Sequence, residues 1–573
     1  MDFFKTVVDI FTPTTTFGQV IYGIIGGVII LYLWLWPIHE YTIPFRNLPG
    51  PPNDDWFWGC VPTILKCEPR LPPAKWIDRY GPSVRYRAFL GLQRFVTIDP
   101  MALQIILKPD LFPKPRMMNY NLDILLGNGL LVAHGEDHKR QRRALNISFS
   151  LGTVKNMMPA FYDKADELKD KLVDIVNGVE YEKPAPTPQK PEDIVNGGCK
   201  IDVLRYLSRT TLDLIGVCGF DYDFKALSER GNQLSQAYVQ MFKEGLMENY
   251  GAVLRTFMPA LRYIPTERTK TIDKAKKITR QFGIASLFAN SEKKASILAE
   301  HADGIQKSDV TSKDLISILI KSNMAADVPP ENRLTDEEIL NQITTFMLAG
   351  NETSSTALTW ILYTLSQHKD AQTRLREEVM SVTENRPSLD TLNTLTYMEA
   401  VVREVLRLYP PVPVTLREAA DNTVVPLKIP VKGRDGKMME NVTISKGTIT
   451  FVPILIANRS SLIWGPDADQ FKPERFLHEV KGQTDKDPLR LPGSWGNLMT
   501  FLGGVRNCIG FRFALAEIKV ILFVLMKNFE FDLLNSKPDI QLTSSIVLRP
   551  KVRGEEEYGL QMPLMVKPLA ASV

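Results

Sequence analysis

The spacing of apolar and polar positions changes several times along the chain, and the changes divide it into regions. From Phe17 to Trp36 the sequence reads FGQVIYGIIGGVIILYLWLW, an uncharged apolar run close to the ~20 residues a helix needs to cross a bilayer core. Tyr32, Trp34 and Trp36 close it with rings suited to the headgroup interface. The run is too long for a signal-peptide core and lacks a basic leader or cleavage site, which predicts a retained transmembrane anchor over residues 17–37 behind a tail, 1–16. Its flanking charges, Lys5 and Arg46, do not set an orientation. The prolines of IPFRNLPGPP then forbid helix, so residues 38–54 read as a stiff spacer ahead of a body, 55–573.

Within the body, residues 83–98 (SVRYRAFLGLQRFVTI) carry strand-like runs around a glycine turn. From residue 100 helical periodicity dominates, over 101–107, 153–177, 202–218, 232–248, 268–300, 335–367, 369–383 and 396–408. Strand signals return at 441–445, 541–548 and 560–566. The stretch VEYEKPAPTPQKPEDIVNGG, 179–198, is polar and proline-rich and reads as a solvated insertion. The pattern predicts a mainly α protein with minor β structure and no internal repeat.

Composition adds exclusions. With 44% hydrophobic and 23% charged residues the 573-residue chain is ordinary globular protein. A net charge of +4 is small for this length and argues against a nucleic-acid partner. Five cysteines (Cys60, Cys67, Cys199, Cys218, Cys508) are scattered without a CxxC pair, and the six histidines form no HExxH, so neither a disulfide framework nor a zinc site is indicated.

One cysteine has unusual surroundings. In FLGGVRNCIGFRFALAE, residues 501–517, Cys508 follows a glycine-rich loop and precedes a helical run. Unpaired N–H groups at a helix start stabilise a thiolate, which is a nucleophile or a metal ligand. Gly503 and Gly504 permit a tight backbone near the sulfur, and Gly510 leaves room for something flat. No histidine follows His478 to serve as a base, which disfavours nucleophilic catalysis.

Phe501, Gly503, Arg506, Cys508 and Gly510 fall within FxxGxRxCxG, and on these residues the chain resembles the cytochrome P450 monooxygenases, of the membrane-anchored microsomal eukaryotic and fungal-like kind. The resemblance implies that fold: one large helical domain with small β-sheets, behind a transmembrane helix. It also implies a haem b cofactor whose iron takes the Cys508 thiolate, with Phe501 beside the sulfur and Arg506 on a haem propionate. In EVLR, Glu404 and Arg407 lie three apart on one helix face, crowded by Val401, Val402, Val405 and Leu408. In the family this pair is locked by an arginine from a downstream box; FKPERF makes Arg475 that third member. TTFMLAGNETSSTALTW supplies Ala349, Gly350, Glu352 and Thr353 at the places of the (A/G)Gx(D/E)T box. A glycine inside a helix costs about 1 kcal/mol against alanine, and close approach to haem and oxygen supplies a reason. Thr353 can bond back to the Ala349 carbonyl, and the resemblance makes Glu352 and Thr353 the proton relay. In HGEDHKRQRRALN, His138 and Arg142 take the places of a WxxxR pair on the propionates, as does Arg417 in VPVTLREAA. The basic run Lys139, Arg140, Arg142 and Arg143 reads either as a solvated helix face or as a docking patch for an acidic reductase.

The resemblance spans roughly residues 45–570 and implies insertion of one oxygen atom from O2 into a lipophile. The chain has no flavin- or nicotinamide-binding GxGxxG unit, so NADPH electrons would come through a separate cytochrome P450 reductase, with cytochrome b5 as a further donor. It also implies an endoplasmic reticulum location with the body in the cytosol, and a role in secondary metabolism. Pocket candidates by family position are Met117, Met118, Tyr120, Phe346, Met347, Val414, Thr415 and Ile546, mostly apolar, which suits a terpenoid, sterol or polycyclic aromatic. Two alternatives stay open: a haem-thiolate isomerase or dehydratase, and a non-catalytic haem sensor or carrier. The sequons at Asn146, Asn351, Asn441 and Asn458 fit only if unglycosylated.

Overall fold

The computed structural model describes residues 16–33, 39–68, 71–115, 120–179, 190–228, 237, 250–281, 314–324, 328–477, 489–544 and 546–569. The expected helix at 232–248, the part of 268–300 beyond residue 281, Trp34, Trp36, Met117 and Met118 lie outside these residues.

The principal helices are α1 (Thr16–Leu33), α2 (Gly135–Leu145), α3 (Leu151–Val176), α4 (Val203–Phe220), α5 (Asp336–Gln367), α6 (Lys369–Met380), α7 (Thr396–Leu408) and α8 (Phe511–Asn528). The 32-residue α5 runs through the middle of the body. It packs against α4 along one side and against α7 and α8 along others, while α3 packs on α8. A capping box starts α5: the Thr335 hydroxyl accepts from the Glu338 N–H, and the Glu338 carboxylate accepts from the Thr335 N–H. Burial raises the Glu338 carboxyl pKa, but Arg140 and the Thr335 N–H outweigh it and hold the group at about 2.

Among the described residues eleven strands make four small sheets. β1 (Ser83–Arg87), β2 (Gln93–Thr97), β7 (Ile449–Val452) and β4 (Thr415–Glu418) form one in the order β1-β2-β7-β4, with β2 and β7 parallel. β3 (Cys199–Asp202) and β8 (Phe529–Asp532) flank β11 (Pro563–Pro568). β5 (Thr423–Lys432) pairs with β6 (Met438–Ile444), and β9 (Ile540–Ser544) with β10 (Leu548–Val552). Among the described residues one apolar core fills the helical bundle, a second lies under the sheets and a third, smaller one surrounds Trp76 and Tyr86.

Two expectations change, and a third, the membrane span, is not shown. Helix α1 has 18 residues, about 27 Å at 1.5 Å per residue; among the described residues no helix is long and apolar enough to cross a membrane. The stretch read as a spacer is bound to the body. Glu40 pairs with Arg85 at 2.9 Å, with Arg87 and with Arg434 at 3.5 Å, while Ile43, Phe45 and Leu48 are buried in the sheet-side core. The proline-rich insertion is docked at its C-terminal end. Asp193 is buried and accepts from the Ser536 backbone at 2.9 Å and its hydroxyl at 2.8 Å, and Cys199–Asp202 continues as β3. Proline content reports backbone stiffness, not solvation, so it hid both contacts.

Candidate active site

The loop before α8 is shaped by close backbone approaches. Counted from Phe501, the first glycine of FxxGxRxCxG is Gly504, which adopts φ +70°, a left-handed conformation that favours glycine. Gly503 is extended, and its constraint is contact: a Cβ there would meet the Pro492 carbonyl oxygen at 1.6 Å. A Cβ at Gly510 would meet only the Phe149 ring, at an ordinary 3.5 Å. The Cys508 N–H closes the loop by donating to the Phe501 carbonyl at 2.9 Å. The Phe501 ring packs against Trp495 and Phe511, with centroids 5.4 and 6.0 Å apart.

Cys508 is exposed although protein surrounds it, so its side chain faces an internal hollow. Burial raises its thiol pKa, more than the Gly510 N–H and the nearby Arg142 lower it. The helix start therefore does not by itself create a thiolate. A metal ion would, by placing positive charge directly on the sulfur.

Around this loop stand four cations. Arg417 on β4 is 1% exposed. Its Nη1 donates to the Thr415 hydroxyl and the Leu416 carbonyl at 2.8 and 2.7 Å, while its buried Nη2 has no partner among the described residues. Arg506 donates to the Ala133 carbonyl at 2.8 Å, Lys114 to the Leu131 carbonyl at 2.6 Å, and Arg142 to the backbone and side-chain oxygens of Asn507 at 2.6 and 2.5 Å. Burial, with repulsion from neighbouring cations, pulls Arg417 and Arg506 down to about 10 and Lys114 to about 7. Burial, then Arg506, Arg142, Lys114 and His134, drive His138 down to about 3, so that buried imidazole is neutral. No carboxylate figures among the charges that shift these groups, and an unpartnered buried guanidinium N–H costs stability. The set fits a large, flat, dianionic group bearing paired carboxylates, one that Cys508 could ligate. Lys114 escaped the sequence reading because its neighbours Arg417 and Arg506 are hundreds of residues away; its place between Pro113 and Pro115 was the only local sign.

Ala349 is exposed in the middle of α5, between largely buried neighbours, and Thr353, one turn on, is half-buried, its hydroxyl donating to the Ala349 carbonyl at 2.6 Å. The rings of Phe149 and Phe346, 5.3 Å apart, join this part of α5 to Gly510. Gly350 has a different reason from the expected one. A Cβ there would stand 2.8 Å from the Ile215 side chain, so the glycine admits α4, not a cofactor. Glu352 is ion-paired with Arg549 on β10, a partner the sequence did not suggest. Ser354 on α5 and Glu517 on α8 are buried beside each other, and the Ser354 hydroxyl acts against burial to lower the Glu517 carboxyl pKa. Burial pushes Glu517 up to about 8.

The Glu404–Arg407 pair is fully buried, with contacts of 2.7 and 2.8 Å, and Glu404 also accepts from Arg475 at 3.0 Å and the Lys472 N–H at 2.9 Å. Of the pocket candidates, Val414, Thr415 and Ile546 are half-buried, whereas Phe346 and Met347 are buried in the core. Tyr120 begins a short helix, and its side chain lies outside the described residues. In the basic run, Lys139 pairs with Glu136 and Arg140 with Glu338 and Asp137, while Arg143 donates to Asn332. Each is thus already matched within the protein. Asn351 and Asn458 are buried, which no glycan permits.

A family model described as cytochrome P450 matches residues 49–554. The chain belongs to the cytochrome P450 family. It is 39% identical over 92% of its length, and 93% of the relative's, to cytochrome P450 monooxygenase 205 of Postia placenta. Identity is 33% to ganoderic acid synthetase of Ganoderma lucidum, covering 94% of this chain and 97% of that one. It is 32% to cytochrome P450 monooxygenase claP of Ampulloclitocybe clavipes, covering 97% and 99%. This P450 is accordingly an oxygen-incorporating oxidoreductase of the fungal type, its family implying haem with thiolate-ligated iron.

Proposed function

We propose that this P450 hydroxylates a bulky lipophile, using NADPH electrons delivered by a separate flavoprotein reductase, with cytochrome b5 as a second donor. The observation that carries the site assignment is the unpartnered Nη2 of Arg417 inside a carboxylate-free group of cations around Cys508. Haem, when bound, supplies the chemistry of dioxygen activation. Cys508 is its ligand, and Arg417, Arg506, Arg142 and Lys114 are the partners of its carboxylates, with neutral His138 beside them. The Glu404–Arg407–Arg475 cluster holds the loop. The Thr353 hydroxyl, able to exchange the Ala349 carbonyl for another acceptor, passes protons to the oxygen side, with Glu352 as the acid behind it.

The half-buried Val414, Thr415 and Ile546 supply an apolar wall with one hydroxyl, and the name of the Ganoderma relative, ganoderic acid synthetase, directs attention to terpenoids. Residues 17–37 anchor the protein in the endoplasmic reticulum membrane with the body in the cytosol. This is supported by the outward apolar side chains of α1, among them Ile24, Val28 and Ile30, and by the apolar run continuing to Trp36.

The test is to incubate the holoenzyme, reductase and NADPH with terpenoids, sterols and polycyclic aromatics under 18O2. A product heavier by one labelled oxygen, formed with NADPH consumption, is expected. Rearranged product without either requirement would instead identify an isomerase.

A further inference from the structure

We propose that Gln141 and Gln342 are positioning residues for the haem carboxylates: paired amide to amide, they clamp the turn at residues 128–133, whose carbonyls aim Lys114 and Arg506. The proposal rests on the reading of those two cations as carboxylate partners.

The clamp is a closed circuit of hydrogen bonds that begins and ends on the turn. The Leu130 N–H donates to Gln342 Oε1 at 3.0 Å, Gln342 Nε2 donates to Gln141 Oε1 at 3.0 Å, and Gln141 Nε2 donates to the Asn128 carbonyl at 2.9 Å. Both glutamines are fully buried. Their orientation is forced, because a backbone N–H can only donate and a backbone carbonyl can only accept, which leaves each amide one way round. Gln141 Nε2 also reaches Glu338 Oε1 at 3.2 Å, the carboxylate that caps α5. Gln342 stands on α5 and Gln141 on α2, next to Arg142, so the turn is tied to both helices.

Close contact holds the turn down as well. A Cβ on Gly129 would stand 2.3 Å from the Thr345 hydroxyl and 2.9 Å from the Asn341 carbonyl oxygen, so the backbone there lies directly on α5. Inside the turn the Val132 and Ala133 N–H groups both donate to the Gly129 carbonyl, at 2.9 and 2.8 Å. The Leu131 and Ala133 carbonyls accept instead from Lys114 at 2.6 Å and Arg506 at 2.8 Å. One short turn therefore sets where both cations stand. An apolar pair would fill the same space but fix no direction, whereas a satisfied buried polar network specifies a single arrangement. Both amides are neutral, so the clamp orders the cations without competing for the carboxylates they are to meet.

The experiment uses the holoenzyme as wild type, Gln342→Met, Lys114→Met and the double variant, and reads three quantities: the rate of haem transfer to excess apomyoglobin, the iron midpoint potential, and hydrogen exchange over residues 128–133. Misaligning one charge-assisted hydrogen bond is worth about tenfold or more, so we expect Gln342→Met to release haem about tenfold faster. It should also lower the midpoint potential, because carboxylates less well neutralised favour the ferric state. The double variant should fall short of the product of the two single effects, since both act through Lys114. A wild-type transfer rate or potential in Gln342→Met, or effects that simply multiply, as from a packing defect, would overturn the proposal. The Leu130 amide should exchange slowly in the wild type and faster in Gln342→Met. Rapid exchange in the wild type would also overturn it, even if the variant failed to fold. Unchanged haem transfer in Lys114→Met would reject the carboxylate-partner reading of that lysine instead, while Leu130 exchange still reported on the clamp.

Discussion

Arg407 donates from Nη1 to the main-chain carbonyl of Asn458 at 2.8 Å. The Asn458 side chain in turn accepts from the Met499 N–H and donates to the Thr500 hydroxyl, both at 2.9 Å. Asn458 therefore carries the buried Glu404–Arg407 pair to the residue before Phe501, whose carbonyl holds the Cys508 N–H. Replacing Arg407 by Met should cost about 3–5 kcal/mol by stranding Glu404. Asn458→Ala should cost about 1–3 kcal/mol and loosen haem retention before the fold. Thermal melts alongside haem content check the order: a variant of Asn458 that unfolds at the wild-type temperature with full haem would disprove the link.

Cys508→Ser should abolish the red-shifted Soret band of the reduced carbon monoxide complex. Because burial keeps the free thiol protonated, the apoprotein thiol should also alkylate slowly near neutral pH and faster in alkali. Retention of the red-shifted band by the serine variant would remove Cys508 from the iron.

Thr353→Ala should leave haem content and reduction intact while hydrogen peroxide replaces product. The loss of one proton-transfer partner is worth about 100-fold or more, less where water substitutes. Product and hydrogen peroxide per NADPH are the measurement, and unchanged coupling would reduce Thr353 to packing.

Much of this was written locally. The cysteine loop, the Glu404–Arg407 helix and the α5 box are each read within a few residues, because their chemistry is set by neighbours three or four places apart. What could not be read depends on residues distant in sequence. Gly350 is required by Ile215 on α4, and Lys114 is depressed by burial and then by Arg417 and Arg506. Phe346 looked like pocket lining but is claimed by Phe149. The four-residue strands β4 and β7 went unread because so short a run carries little periodicity, and their pairing with each other and with β2 joins segments far apart in the chain.

Glu517 makes stability depend on pH. Its folded pKa, raised from 4.5 to about 8 by burial, means that folding favours the protonated form. The stability it contributes is fully present below 4.5 and is lost as pH rises through about 8. Glu517→Gln, which stays neutral, should match wild type near pH 4 and exceed it by on the order of a few kcal/mol near pH 9. Denaturant titrations at both pH values check this; a variant destabilised equally at both would mean that the carboxyl shape, not its charge, matters.

The binding of Glu40 by Arg85, Arg87 and Arg434 sets a tether length. From Leu33, where α1 ends, to Glu40 is seven residues, at full extension about 25 Å. That is no more than the radius of gyration of about 25 Å expected for a compact chain of this length. If α1 is held in a bilayer, as proposed, the body has no slack to swing clear of the surface. In the proposed membrane-anchored state it would rest against the bilayer with the sheet that carries Arg85 and Arg87 nearest the attachment, and a lipophile could pass from lipid to protein without crossing open water.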